Sequence, residues 1–307
     1  MKNLKILLVF LYLSIICAQR IPVLNNGNEN KSIDHIPYVA SLRLDETDES
    51  YFGKGHFCTG VFIGTKAVLT LASCFYRNDA LLLPEDVRII GGTKFKFEEE
   101  DLTFSTILED FKIHENFSRS SLENNIAIGY LHDAIPKDNA FVKTINRIAS
   151  ETATESVQMK IYGWSLSTMM YEESLHLLSG EVEIVSTEQC DTEHNKITSS
   201  TICAGPYFVN GCETDDGGPL VDDARGGTLY GLIDARPAGY CSKIITNRLG
   251  TYVDVSQFYN WILEYNRNSA SCRNIISIIV LITLCIVVAQ LQMVKLINIQ
   301  NKKVWIY

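Results

Sequence analysis

Between its two ends the 307-residue chain places apolar residues mostly at the two-residue period of β-strands. Runs of this kind are Tyr38 to Leu44, Val61 to Ile63, Ala67 to Leu71, Val87 to Ile90, Ile107 to Ile113, Ile126 to Leu131, Gln158 to Tyr162, Glu181 to Val185, Thr228 to Ile233 and Thr251 to Val255. Turn residues separate them, and together they predict an all-β barrel or sandwich. Helical spacing is persuasive in one place, where Phe258, Trp261, Ile262 and Tyr265 share a face. The polar stretch Ala149 to Ser156 is the expected connection between two halves of the fold.

The ends follow different rules. Lys2 and Lys5 precede an apolar run from Ile6 to Cys17, then Ala18 and polar sequence from Gln19, so residues 1–18 read as a secretory signal peptide. That run falls short of the roughly 20 residues a membrane helix needs. No charged residue occurs between Arg273 and Lys295, so residues 273–307 read as a candidate transmembrane helix (about 274–294) and a short basic tail. Lys295, Lys302 and Lys303 then lie inside, in line with the positive-inside tendency, while Arg267 and Arg273 on the outer flank oppose it. Ser269, Ala270 and Ser271 keep a lipid-anchor signal as a competing reading, although such a signal ends on its apolar tail. A processed tail is the third. The domain at residues 19–272 is expected outside the cell, secreted or at its surface.

Charge narrows the partners. Six of the 27 basic residues (Lys2, Lys5, Arg273, Lys295, Lys302 and Lys303) lie outside Gln19 to Cys272, leaving 21 against 36 acidic residues, a net of −15. Such a domain is not expected to bind nucleic acid or an anionic lipid surface. The acidic runs Asp45 to Glu49 and Glu98 to Asp101 are expected to be solvated loops, calcium being the lesser alternative.

Of the nine cysteines, Cys17 lies in the signal and Cys285 in the C-terminal apolar stretch. The other seven are Cys58, Cys74, Cys190, Cys203, Cys212, Cys241 and Cys272, and exported thiols usually pair. None has the spacing of a zinc site, so no metal and no cofactor is expected. Asn116-Phe117-Ser118 and Asn30-Lys31-Ser32 are glycosylation sequons that belong on the surface.

Cys58-Thr59-Gly60, followed by Ala67-Val68-Leu69-Thr70-Leu71-Ala72-Ser73-Cys74, resembles the first disulfide loop of the chymotrypsin-like (trypsin) family of serine proteases. Asn125-Ile126-Ala127-Ile128, Gly163-Trp164-Ser165, Ile202-Cys203-Ala204-Gly205 and Cys212-Glu213-Thr214-Asp215-Asp216-Gly217-Gly218-Pro219-Leu220 continue the family pattern in order. Tyr252-Val253-Asp254-Val255 and Trp261-Ile262 complete it, so the match runs from about Leu24 to Asn266. The resemblance implies two six-stranded antiparallel β-barrels with a C-terminal helix, and the pairings Cys58–Cys74, Cys190–Cys203 and Cys212–Cys241. Cys272 is then left odd.

Against that pattern the chemistry is missing. A protease of this family needs a serine nucleophile, a histidine base and an aspartate that orients it. The histidine's place holds Ser73, which cannot accept a proton near neutral pH; the aspartate's place holds Asn125, and the nucleophile's place holds Asp216. A carboxylate at Asp216 would oppose the oxyanion, and Thr214 stands where a glycine normally lets the oxyanion-hole peptide turn. The pocket positions are Asn210, Asp234 and Arg236, the last replacing a glycine at the pocket mouth. Asp234 and Arg236 are as readily read as partners of neighbouring side chains.

His56, two residues before Cys58, occupies the place of a histidine that in the family hydrogen-bonds the buried aspartate of the inactive precursor, here Asp215. His35, His114, His132, His176 and His194 have no motif context and are expected at the surface or at strand edges. The family's activation site is not legible around Leu24-Asn25-Asn26-Gly27, where no basic residue marks a cut. The expected function is that of a non-catalytic homologue binding an extracellular protein partner. The alternatives are a serine endopeptidase-like hydrolase with residual or unusual activity, and a gene copy without a selected role.

Overall fold

The computed structural model describes residues 36–101, 103–164, 166–167, 172–173, 175–186, 188–190, 197–205, 213–223, 227–235 and 249–266. Six strands form a closed antiparallel barrel: β1 (Val39–Leu44), β2 (His56–Gly64), β3 (Ala67–Thr70), β4 (Val87–Gly91), β5 (Phe104–Ile113) and β6 (Ala127–Leu131). Their order is β1-β2-β3-β6-β5-β4, returning to β1 through the pairing of Leu42 with Ile89. After the short β7 (Arg147–Ile148) come β8 (Gln158–Gly163), β9 (Leu178–Ile184), β10 (Thr201–Gly205), β11 (Pro219–Asp222), β12 (Thr228–Ile233) and β13 (Gly250–Asp254). These six run in the order β11-β8-β9-β10-β13-β12, and β12 pairs back onto β11 to close a second barrel, with β7 added parallel to β12.

Closure follows from the side-chain alternation. In β9, Leu178, Val182 and Ile184 point inward, with Glu181 and Glu183 in water between them. Met159, Ile161, Val182, Ile202, Leu220 and Ile233 fill the second barrel. Leu42, Val61, Leu69, Ile89 and Leu108 are buried in the first. The chain leaves β13 through a 3₁₀ turn at Val255–Phe258, whose first residues are capped by Asp254 accepting the Ser256 N–H at 2.9 Å, and enters a helix over 259–266. The chain forms two compact units, Met1–Ile262, which holds both barrels, and Leu263–Tyr307.

Each of the ten predicted runs falls on a strand, although Val61 to Ile63 covers only the end of β2. Two barrel strands escape the period: β10, whose Cys203, Ala204 and Gly205 are small, and β11, four residues opening on Pro219. Ala149 to Ser156 is not the crossing between the halves. Ala149 is buried in the second barrel and donates its N–H to Leu229, and Thr152 Oγ1 donates to Asp254 at 2.7 Å, so the crossing lies before β7.

The acidic run at Asp45 is a correction too. Asp45–Ser50 forms a short helix, α1, because Asp48 turns inward to meet Arg43, which is fully buried, at 3.3 Å and accepts the Gly53 N–H at 2.7 Å. A buried guanidinium needs a paired carboxylate, and that requirement overrides solvation of the run. Disulfides join Cys58 to Cys74 and Cys190 to Cys203. Cys212, Cys241, Cys272, the signal and the candidate span at 274–294 lie outside the described residues. Among those described, no helix is long and apolar enough to cross a membrane.

Candidate functional site

The three positions that the resemblance assigns to a catalytic triad are delivered by both barrels. Ser73 lies in the 3₁₀ turn Ala72–Phe75 after β3, held by the disulfide at Cys74. Asn125 precedes β6 and is fully buried, at the end of a turn in which Leu122 and Asn124 take φ of +60° and +55°. Left-handed backbone costs a residue such as leucine about 1–2 kcal/mol. Asp216 follows the 3₁₀ turn Glu213–Asp215 and is buried ahead of β11.

Hydrogen bonds join these positions into one network. Asn125 Oδ1 accepts the Ser73 backbone N–H at 3.0 Å, and its Nδ2 donates to Asp234 Oδ2 at 3.1 Å. Asp216 Oδ1 accepts the N–H of Ala235, the residue after Asp234, at 2.7 Å. The Asp216 carbonyl accepts the Thr59 N–H at 2.8 Å, bringing β2 of the first barrel against the same loop. Gly217, at φ +86°, allows this approach: a Cβ there would stand 2.2 Å from the Thr59 carbonyl oxygen. The Ser73 hydroxyl is buried without a hydrogen-bond partner.

Thr214 sits within the 3₁₀ turn, a conformation its β-branched side chain accepts, and its carbonyl accepts the Thr59 hydroxyl at 3.1 Å. Asp234 is buried on Asn125, and its carbonyl accepts the Thr251 hydroxyl. Asn210 and Arg236 lie outside the described residues, as does Asn30. Asn116 is exposed in the turn that follows β5.

The implied hydrogen bond between His56 and Asp215 is not formed. His56 Nδ1 meets the Ser41 hydroxyl at 2.8 Å, its ring packs edge-on to Trp164, and Nε2 is buried without a hydrogen-bond partner. Asp215 is buried against Gly163 instead. Burial first, and then the Lys96 and Arg43 cations, hold the His56 pKa well below the ordinary histidine value, so the ring is neutral. Of the other histidines, His132 is exposed, His114 packs against Phe258 and Trp261, and His176 packs against Phe95; His35 and His194 lie outside the described residues.

Beside Ser73 a cleft is lined by Tyr76, Asn78, Asp79, Arg119 and Leu122. Sequence reasoning passed over these residues. The Asn78-Asp79 pair was the available signal, since two left-handed residues close the hairpin between Tyr76–Arg77 and Ala80–Leu81. Among the described residues no group of three or more histidine, cysteine or acidic side chains is arranged to hold a metal.

The trypsin family model matches residues 25–262. Trypsin zeta of Drosophila melanogaster is 28% identical over 281 residues, covering 83% of this chain and 95% of that protein. Trypsin delta of the same fly is 30% identical over 248 residues, 78% of this chain and 87% of its own length. The atrial natriuretic peptide-converting enzyme of Mus musculus is 32% identical over 235 residues, which make up 74% of this chain but 20% of that protein. With the motifs of both barrels in order, two closed six-stranded barrels and a family match that spans them, the chain belongs to the trypsin family.

Proposed function

We propose that this trypsin-family chain is a non-catalytic member that acts outside the cell by binding a protein partner. The observation that carries the reading is the bond from Ala235 N–H to Asp216 Oδ1. The side chain at the nucleophile's position is a buried carboxylate engaged by the backbone, not a hydroxyl beside a base. Ser73 at the base's position has no proton-accepting nitrogen, and Asn125 holds two neighbours by its amide. Triad members act as a unit, so three replacements leave no partial mechanism for the remaining groups to complete. The two disulfides are consistent with an oxidising compartment.

The test is direct. The purified secreted domain, given peptide and ester substrates and a serine-directed phosphonate, is expected to show neither turnover nor labelling. Stoichiometric phosphonate labelling, or turnover that survives repurification, would support the residual-hydrolase reading in its place.

A further inference from the structure

Among the described residues, Tyr51 (60%) and Leu175 (58%) are two of the most exposed large apolar side chains, and both neighbour the segment carrying Phe97. The ring of Tyr51 lies 6.0 Å from that of Phe97, and the Lys96 N–H beside Phe97 donates to the Leu175 carbonyl at 2.9 Å. Exposed apolar patches with polar rims mark interaction sites.

The rim here is acidic. Residues 45–49 and 98–101 are far apart in sequence, yet the fold brings them together around the Tyr51–Phe97 pair. Not all of their carboxylates face outward: Asp48 is buried on Arg43, Asp45 pairs with Arg88, and Glu100 accepts the Lys94 N–H. Glu46, Glu49, Glu98 and Glu99 are exposed, with no ion pair to a described residue. Lys54 is the exposed cation of the same loop.

The face is also preformed. Gly53, at φ +89°, lets the loop close until a Cβ there would stand 2.1 Å from the Lys96 carbonyl oxygen. That oxygen accepts from Arg43 Nη2 at 3.1 Å, while Arg43 Nη1 holds Asp48, so one buried ion pair fastens α1 to the segment carrying Phe97. Little ordering cost remains for a ligand to meet.

We infer that this face is the docking surface for a basic protein segment, with arginine or lysine side chains set over Tyr51 and between the four glutamates. Aromatic rings attract such cations, and four exposed carboxylates favour them over neutral or acidic ligands. The inference rests on the partner-binding reading and names the partner's chemistry.

The test uses the full secreted chain and a fluorescent peptide of alternating arginine and glycine, followed by anisotropy. Tyr51→Ala is expected to weaken binding about tenfold, and the double variant Glu49→Gln, Glu98→Gln by a similar factor that shrinks as salt rises. Glu155→Gln, Glu181→Gln removes the same charge from elsewhere on the surface and is expected to change affinity less than twofold. No peptide binding, or equal weakening by both double variants, overturns the assignment of this face. Calcium ions that bind the chain and displace the peptide also overturn it, since the carboxylates would then serve a metal. Ester turnover by the same preparation would instead sink the partner-binding reading, whatever the peptide does.

Discussion

Asp216 Oδ1 stands 2.7 Å from the backbone nitrogen of Ala235, so the residue that the resemblance sets at the nucleophile's position anchors the segment following β12. Asp216→Ala removes the acceptor and leaves a buried N–H, at a cost of about 1–3 kcal/mol, whereas Asp216→Asn keeps an oxygen in place and is expected to cost less. Asp216→Ser is expected to be destabilised and still inert towards ester substrates. Urea midpoints that are equal for all three variants would remove the structural role.

Asn125→Asp, the change that would restore the family's carboxylate, is expected to fail for an electrostatic reason. The Nδ2 that donates to Asp234 at 3.1 Å would become an oxygen facing an oxygen in a fully buried site. One carboxyl must then hold a proton, its folded-state pKa rising above the unfolded value of about 4. Stability that depends on the bound proton is present at acid pH and is lost as pH rises through that raised pKa. The variant is therefore expected to approach the parent near pH 4 and to fall short of it by more than about 2 kcal/mol at pH 7. A pH-independent difference would argue that Asp234 has turned elsewhere.

His56 predicts the opposite slope. Its folded pKa is depressed, by burial and then by Lys96 and Arg43, so below an unfolded value of about 6.5 the unfolded chain binds a proton that the native chain refuses. Stability should fall as pH drops below that value, by up to about 1.4 kcal/mol per pH unit from this group. Comparing His56→Gln with the parent isolates the effect from the carboxylates common to both. His114, whose pKa burial also lowers, contributes the same slope to both proteins and cancels. Parallel stability curves between pH 5 and 7.5 would refute the assignment.

The strands were legible because barrel walls impose alternation, as Glu181 and Glu183 between Leu178, Val182 and Ile184 show. The disulfides Cys58–Cys74 and Cys190–Cys203 were legible through the resemblance. What the sequence withheld were pairings between buried polar residues, whether near or far along the chain. Nothing local marks Asp48 as the partner of a buried Arg43, or Asp234 as the acceptor for Asn125 109 residues away. His56 shows the same limit in reverse: a family precedent pointed to Asp215, while in this chain Ser41, across the first two strands, supplies the hydroxyl its ring meets.

Asn116 offers the cleanest chemical test of export. Its sequon, completed by Ser118, lies in the turn after β5, where the Asn116 N–H donates to His114 Nδ1 and its carbonyl accepts from Asn124. The backbone is thus fixed while the residue itself is exposed, and no hydrogen bond to a described residue engages its side-chain amide. A glycan there displaces nothing: the neighbouring Phe117 keeps its contact with Tyr76, and the bulk extends into water. Chain secreted from eukaryotic cells is expected to gain gel mobility on enzymatic deglycosylation. Asn116→Gln and Ser118→Ala should each abolish one step of that shift, while Ser120→Ala, outside the sequon, should not. A second step that disappears with Asn30→Gln would show that both sequons are used. Mobility unchanged by deglycosylation would rule out glycans at both positions, and a shift that persists in Asn116→Gln but not in Asn30→Gln would move the modification to the N-terminal site alone.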